Sequence, residues 1–69
     1  MNERIVSDPA ICGGEACVRG TRIQVWVVLS HVAAGDTTED ILRNFPSLEA
    51  ADIKACFEYA SYLATEQVA

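Results

Sequence analysis

The sequence of 69 residues is poor in histidine, tryptophan and methionine, with one of each, and it has no apolar run of about 18 residues. The missing run excludes a membrane-spanning helix. The N-terminus also lacks the basic and apolar regions of a signal peptide, so we expect a cytoplasmic protein. A substrate pocket of about 300–1,000 Å³ needs walls that so short a chain can hardly supply. We therefore expect no enzyme, no catalytic residue and no cofactor.

Positive charge is scarce: five lysines and arginines face ten aspartates and glutamates, for a net charge of −5. Residues 1–23 carry three arginines and three acids, so the whole excess of −5 falls on residues 24–69. Because nucleic acid repels a negatively charged surface, this distribution disfavours DNA contact through the second part of the chain.

Cysteine is present in an odd number, at Cys12, Cys17 and Cys56. Without an export signal, a disulfide framework is not expected. His31 could complete a nominal zinc set with these cysteines, but their spacing lacks the paired ligands of zinc-binding modules. We expect reduced thiols and no metal.

The first 23 residues predict short strands and turns. Residues 4–6 favour a strand, and Asp8-Pro9 is typical of a turn. Two further β-prone runs, 16–18 and 21–23, lie on either side of Arg19-Gly20, which predicts a hairpin around that pair.

The remaining residues predict three helices. The segment 23–34 alternates like a strand and also fits a helical repeat. Its length, and Gly35 in a position to terminate a helix, favour the helix. Thr37 and Asp40 resemble the capping box that begins a second helix, which Pro46 should end at about Asn44.

A third helix is predicted over about residues 50–66, from an apolar stripe at helical spacing. The stripe consists of Ile53, Cys56, Phe57, Ala60, Leu63 and Ala64, and the opposite, polar face of Lys54, Glu58, Ser61 and Thr65. The expected fold is mainly α with a small β-hairpin region, as one α+β domain over 1–69. It divides into a β-hairpin region at 1–23 and a three-helix region at 24–69. The pattern leaves open whether the last two helices form a helix-turn-helix or a plain helical hairpin.

Most of the chain, about residues 4–64, carries one signature, with segments SDPAICGGEACVRGTRIQV at 7–25, AGDTTEDIL at 34–42, FPSL at 45–48 and ADIKAC at 51–56. With these segments the sequence resembles the prokaryotic family catalogued as domain of unknown function 433. The resemblance implies short strands before a homeodomain-like helix-turn-helix. Many members resemble the antitoxin half of a type II toxin–antitoxin pair beside a PIN-like ribonuclease toxin, and others have no assigned role. Glu49 departs from the family's usual threonine cap, and glutamate is a poorer N-cap.

The candidate DNA- or partner-binding residues are Arg19, Arg22 and Lys54. The two arginines could bind phosphates or an acidic partner, but the many acids of the chain favour pairing within or between subunits. Lys54 is the one cation predicted on the polar side of the third helix, where a DNA-reading helix normally presents several.

The candidate interface residues are Trp26, Tyr59 and Tyr62, since aromatic side chains are enriched at binding hot spots. A core position for Trp26 is an equally good interpretation. A hydrophobic content of 51% in so short a chain, with exposed strand edges, predicts a homodimer. The leading hypothesis is an antitoxin-like module that sequesters a PIN-like ribonuclease. The alternative is a small helix-turn-helix DNA-binding (auto)regulator, or a family member without an assigned role.

Overall fold

Two short strands followed by three helices make up the computed structural model, which describes residues 3–68 and the side chains of residues 3–65. The strands are β1 (Ile5–Val6) and β2 (Cys17–Val18), with a single 3₁₀ turn (Cys12–Gly14) between them. The helices are α1 (Val25–Ala33), α2 (Thr38–Asn44) and α3 (Ala50–Val68). The prediction of a mainly helical α+β chain with short N-terminal strands is confirmed.

The strands pair antiparallel with each other, with Ile5 opposite Val18 and Val6 opposite Cys17. The predicted hairpin around Arg19-Gly20 is present as a short pairing, in which the chain turns at that pair and Cys17 lies antiparallel to Gln24. The pairing of β2 with β1 was not predicted.

The returning segment is short because α1 starts soon after it. The Val18 N–H donates to the Ile23 carbonyl at 3.0 Å, and the Thr21 N–H donates to the Val18 carbonyl at 3.0 Å. The Thr21 hydroxyl also donates to the Val18 carbonyl and accepts from the Ile23 N–H. The Val25 N–H donates to the Ala16 carbonyl at 3.0 Å, and the pairing stops there because α1 begins at Val25.

Helix α1 resolves the ambiguous segment 23–34 in favour of the helix, and it ends as predicted before Gly35. Gly35 has a φ of +99°, a left-handed conformation that disfavours any residue with a Cβ. The Asp36 N–H donates to the His31 carbonyl, and the Asp36 carboxylate lies 2.7 Å from the His31 Nδ1. These contacts fix the turn between α1 and α2.

Helix α2 begins with the predicted capping box. The Thr37 hydroxyl accepts from the Asp40 N–H at 3.1 Å, and the Asp40 carboxylate accepts from the Thr37 N–H at 3.0 Å. The bonds to Thr37 hold the pKa of the Asp40 carboxyl below its usual value, since they favour the charged form. The helix ends at Asn44, as Pro46 predicted.

Helix α3 is two residues longer than predicted, and its apolar stripe is buried only in part. Ile53 and Cys56 lie in the core, whereas Phe57 and Leu63 are 44% and 39% exposed. The core that α3 packs against is small, so the helix continues beyond it.

One core joins both strands and all three helices. Its members are buried: Ile5, Val18, Val25, Val28, Ile41, Leu48, Ile53, Ala55 and Cys56. Burial of apolar side chains such as these is the main force that holds a small fold together. Among residues 3–68, no helix combines the length and apolar character that crossing a membrane requires.

Candidate binding surface

An open apolar groove of about 300 Å³ lies between α1 and α3, and we call it the α1–α3 groove. Three of its residues come from α1, three from α3 and two from the segment before β2. Its lining consists of Glu15, Ala16, Val25, Trp26, Leu29, Tyr59, Ala60 and Leu63.

Helical spacing explains why these side chains share one surface. Residues four positions apart lie on the same side of a helix, which places Val25 beside Leu29 on α1 and Tyr59 beside Leu63 on α3. Trp26 projects from the first turn of α1 and is 57% exposed. Its indole Nε1–H donates to the Gln24 Oε1 at 2.7 Å, so the polar atom of the ring is satisfied within the chain. The rest of the ring is an exposed apolar surface.

Two of the three candidate interface residues meet in this groove. Trp26 and Tyr59 both line it, whereas Tyr62, 50% exposed on α3, lies outside its lining. Because Trp26 is exposed, it is not a core residue. Phe57 and Leu63, which the apolar stripe predicted as core, belong to the exposed apolar side chains.

A second, polar pocket lies where β1 meets the start of α3. It is lined by Glu3, Arg4, Arg19 and Asp52. The Arg4 Nη1 donates to the Asp52 Oδ1 at 2.8 Å and to the Glu49 Oε1 at 3.1 Å. The Arg19 N–H donates to the Arg4 carbonyl at 2.7 Å, which brings Arg19 to the same pocket. The ion pairs of this pocket are thus made by Arg4, and pairing of Arg19 or Arg22 with a second subunit stays a prediction.

The carboxylate of Asp52 is the buried acid of this pocket, with its side chain 9% exposed. Its Oδ2 accepts from the Glu49 N–H at 2.8 Å, so Asp52 satisfies a backbone donor at the start of α3. The sequence offered a signal for this, because Asp52 is the third residue of its helix, as Asp40 is in α2. Arg4 was missed because it is 48 residues away from Asp52, and no local pattern reveals that contact.

The three candidate cations do not line one pocket. Arg22 lies at another surface depression, with Ile11, Gly20 and Thr21, and Lys54 is exposed on α3. Among the side chains of residues 3–65, no carboxylate forms an ion pair with Arg19 or Arg22. The two arginines are exposed on either side of the turn between β2 and α1.

The three thiols differ in their surroundings. Cys17 and Cys56 are buried, and Cys12 is partly exposed. Burial raises the pKa of the Cys56 thiol to about 11, because the core disfavours the thiolate. Over the part of the chain that the structure describes, no three histidines, cysteines or acids lie together in a set that could hold a metal ion.

Comparison with known proteins places residues 5–60 within the model of one family, described as "Protein of unknown function (DUF433)". The uncharacterized protein y4eO of Sinorhizobium fredii is 45% identical over 58 residues, which are 84% of this chain and 26% of that protein. A crystal structure of a DUF433 member protein from Anabaena variabilis has a TM-score of 0.85 and 32% identity, over 94% of this chain and 64% of the other. The chain thus spans about a quarter of the length of the y4eO protein and under two thirds of the Anabaena variabilis chain.

Proposed function

We propose that this chain, which belongs to the DUF433 family, is a protein-binding module of the antitoxin type that docks its α1–α3 groove on a PIN-like ribonuclease toxin. The observation that carries the proposal is the exposed Trp26 at the edge of an apolar groove. A large aromatic side chain with a satisfied polar atom gains most from losing its water to a partner. The antitoxin role itself derives from the resemblance of many family members to antitoxins.

Charge supports a ribonuclease as the occupant. An enzyme that binds RNA needs a basic surface to attract the phosphates. Residues 24–69 of this chain, which include both helices of the groove, carry all of its excess charge of −5. Opposite charges on two surfaces increase the rate of association and favour the correct partner. The module itself needs no catalytic group, because covering the toxin's substrate surface suffices to inhibit it.

The test uses the ribonuclease encoded by the reading frame next to this chain's own. The two proteins are purified separately, and binding and cleavage of a single-stranded RNA are measured with increasing amounts of this chain. We expect a stoichiometric complex and loss of cleavage. Trp26→Ala should weaken binding by about tenfold or more, the loss typical of a hot-spot residue.

Tyr62→Ala is the matched control, because it also removes a half-exposed aromatic side chain but lies outside the groove. It should change the affinity by less than about threefold, as most interface-distant substitutions do. The proposal fails if the neighbouring frame encodes no PIN-like ribonuclease, or if the Trp26 and Tyr62 variants bind equally well.

A homodimer remains part of the proposal. Trp26, Phe57, Tyr62 and Leu63 are exposed, which leaves much apolar surface on a chain of 69 residues. Sedimentation equilibrium at micromolar concentration should give twice the monomer mass. A well-folded monomer throughout that range would contradict this expectation without affecting the groove experiment.

DNA binding is the second candidate function, favoured by the exposed Arg19 and Arg22. A homeodomain-like arrangement of α2 and α3 is implied by the family resemblance, but the polar side of α3 offers Lys54 among acids. We therefore expect weak binding to the chain's own promoter fragment. If both arginines contact phosphates, the salt dependence should correspond to about two released ions.

The variants separate the two ways of contacting DNA. Arg19→Ala and Arg22→Ala should each reduce the salt slope by about one, whereas Lys54→Ala should leave it unchanged. Tight, sequence-specific binding that Lys54→Ala abolishes and the arginine variants retain would instead show that α3 reads DNA. That result would make the helix-turn-helix regulator the leading function.

A further inference from the structure

Glu15 is the one charged residue in the lining of the α1–α3 groove, and the backbone brings it close to Trp26. The Val25 N–H donates to the Ala16 carbonyl at 3.0 Å, at the end of the short antiparallel pairing that precedes α1. The next two residues in this antiparallel order are Glu15 and Trp26, and both line the groove. A carboxylate and an indole ring therefore share one edge of an apolar groove.

Both groups at this edge are open to a ligand. Glu15 is exposed, and within residues 3–65 no cationic side chain forms an ion pair with its carboxylate. Its backbone is held in place, because the Glu15 N–H donates to the Cys12 carbonyl at 3.1 Å. The indole N–H of Trp26 is bonded to the Gln24 side chain, which leaves the apolar surface of the ring for a partner.

We propose that Glu15 and Trp26 form a subsite for one arginine side chain of the protein that docks in the α1–α3 groove. A guanidinium group is planar, so it can donate two parallel hydrogen bonds to a carboxylate and also stack on an aromatic ring. The ammonium group of lysine can pair with Glu15 as a point charge, but it has no plane to stack. The apolar lining beyond this edge, with Leu29 and Leu63, accommodates apolar side chains next to the arginine.

This inference rests on the proposed function, and it names the group that the ribonuclease contributes to the groove. An arginine that binds RNA phosphates can equally pair with a carboxylate, because both groups accept the same two hydrogen bonds. Glu15 then takes the place of a phosphate, and docking occupies an arginine that the toxin uses for RNA. An exposed ion pair adds little affinity, but a docked partner excludes water from this edge and strengthens the attraction.

The test titrates the full chain with the peptide acetyl-leucyl-arginyl-leucine amide. Trp26 is the single tryptophan of the sequence, so its emission reports binding at the subsite itself. We expect a saturable change in emission. The same peptide with citrulline, which keeps the shape of arginine without its charge, should bind about tenfold more weakly, because it loses the ion pair and the cation–π contact. A lysine peptide should bind with an affinity between these two.

Variants of the chain identify the carboxylate that is responsible. Glu15→Gln keeps the size of the side chain and should remove most of the preference for arginine over citrulline. Glu39→Gln is the matched control, because it removes the same charge from an exposed position on α2 outside the groove, and it should retain the preference. Glu15→Lys should instead prefer the peptide in which glutamate replaces arginine. Circular dichroism verifies that all three variants fold.

Three results would overturn the subsite: no saturable binding of the arginine peptide at millimolar concentration, equal affinity for the citrulline peptide, or an unchanged preference in Glu15→Gln. The ribonuclease experiment distinguishes this failure from failure of the proposed function. If the ribonuclease does not bind, the proposed function fails, and the peptides decide the subsite without it. If Trp26→Ala weakens ribonuclease binding and Glu15→Gln leaves it unchanged, the groove docks the toxin without an arginine, and the subsite alone is wrong.

Discussion

The two halves of α3 differ in what surrounds them. In residues 50–56, four residues are buried: Asp52, Ile53, Ala55 and Cys56. In residues 57–65, no residue is buried, although the apolar pattern continues through Phe57, Ala60 and Leu63. The first half builds the domain, and the second half presents apolar side chains to the outside. Apolar periodicity therefore predicts that a helix face will be covered. It does not distinguish coverage by the chain's own core from coverage by a partner.

The largest difference in stability is expected between substitutions of one apolar side chain from each half of α3. Ile53→Ala should lower the free energy of unfolding by about 3 kcal/mol, because it removes buried methyl groups and leaves a cavity. Leu63→Ala should cost less than about 1 kcal/mol, since Leu63 is already 39% exposed. Urea unfolding followed by circular dichroism measures both.

Equal losses in the free energy of unfolding for Ile53→Ala and Leu63→Ala would contradict the difference between the two halves of α3. Equal losses at a concentration where the protein is dimeric would mean that a second copy covers Leu63. Repeating the measurement at a lower concentration separates this case, because a dimer interface contributes less to stability when the dimer dissociates.

The next effect concerns the polar contacts that fix the beginning of α3. Asp52→Ala should cost about 2 kcal/mol, because it removes the acceptor of the Glu49 N–H and the buried partner of Arg4. Lys54→Ala, on the exposed side of the same half, should change the free energy of unfolding by less than about 0.5 kcal/mol. Thermal unfolding measures the loss of stability in both variants. Similar losses would show that the contacts of Asp52 do not stabilise the fold.

Local signals were sufficient for the helices. The capping box of Thr37 and Asp40, the stop at Asn44 before Pro46 and the turn at Gly35 involve residues within a few positions of each other. Such contacts are encoded in short sequence windows, and these predictions were confirmed. The length of α3 was also close to the expectation.

Contacts between distant residues were not predictable in the same way. The pairing of β1 with β2 and the ion pair of Arg4 with Asp52 depend on how the elements pack. For the same reason the sequence did not decide whether Trp26 lies in the core or at an interface. The sequence indicated Trp26 and Tyr59 as interface residues, and both line the groove. It could not exclude Tyr62, because Tyr62 and Tyr59 are both tyrosines of α3 and only the structure shows which of them faces the groove.

The smallest expected effect measures how strongly each half of α3 takes part in folding. Glycine in place of alanine costs about 1 kcal/mol in an exposed helix interior. The difference between Lys54→Gly and Lys54→Ala should reach about that value, because the first half folds with the core. The difference between Ala64→Gly and the wild type should be well below it, since a segment with few buried contacts can open without global unfolding. Urea unfolding of the four proteins gives both differences. If the full cost also appears at Ala64 in the isolated monomer, the second half of α3 folds cooperatively with the first, and its exposed apolar side chains are not a separate surface. If it appears only when a partner is bound, that partner holds the second half of the helix in place.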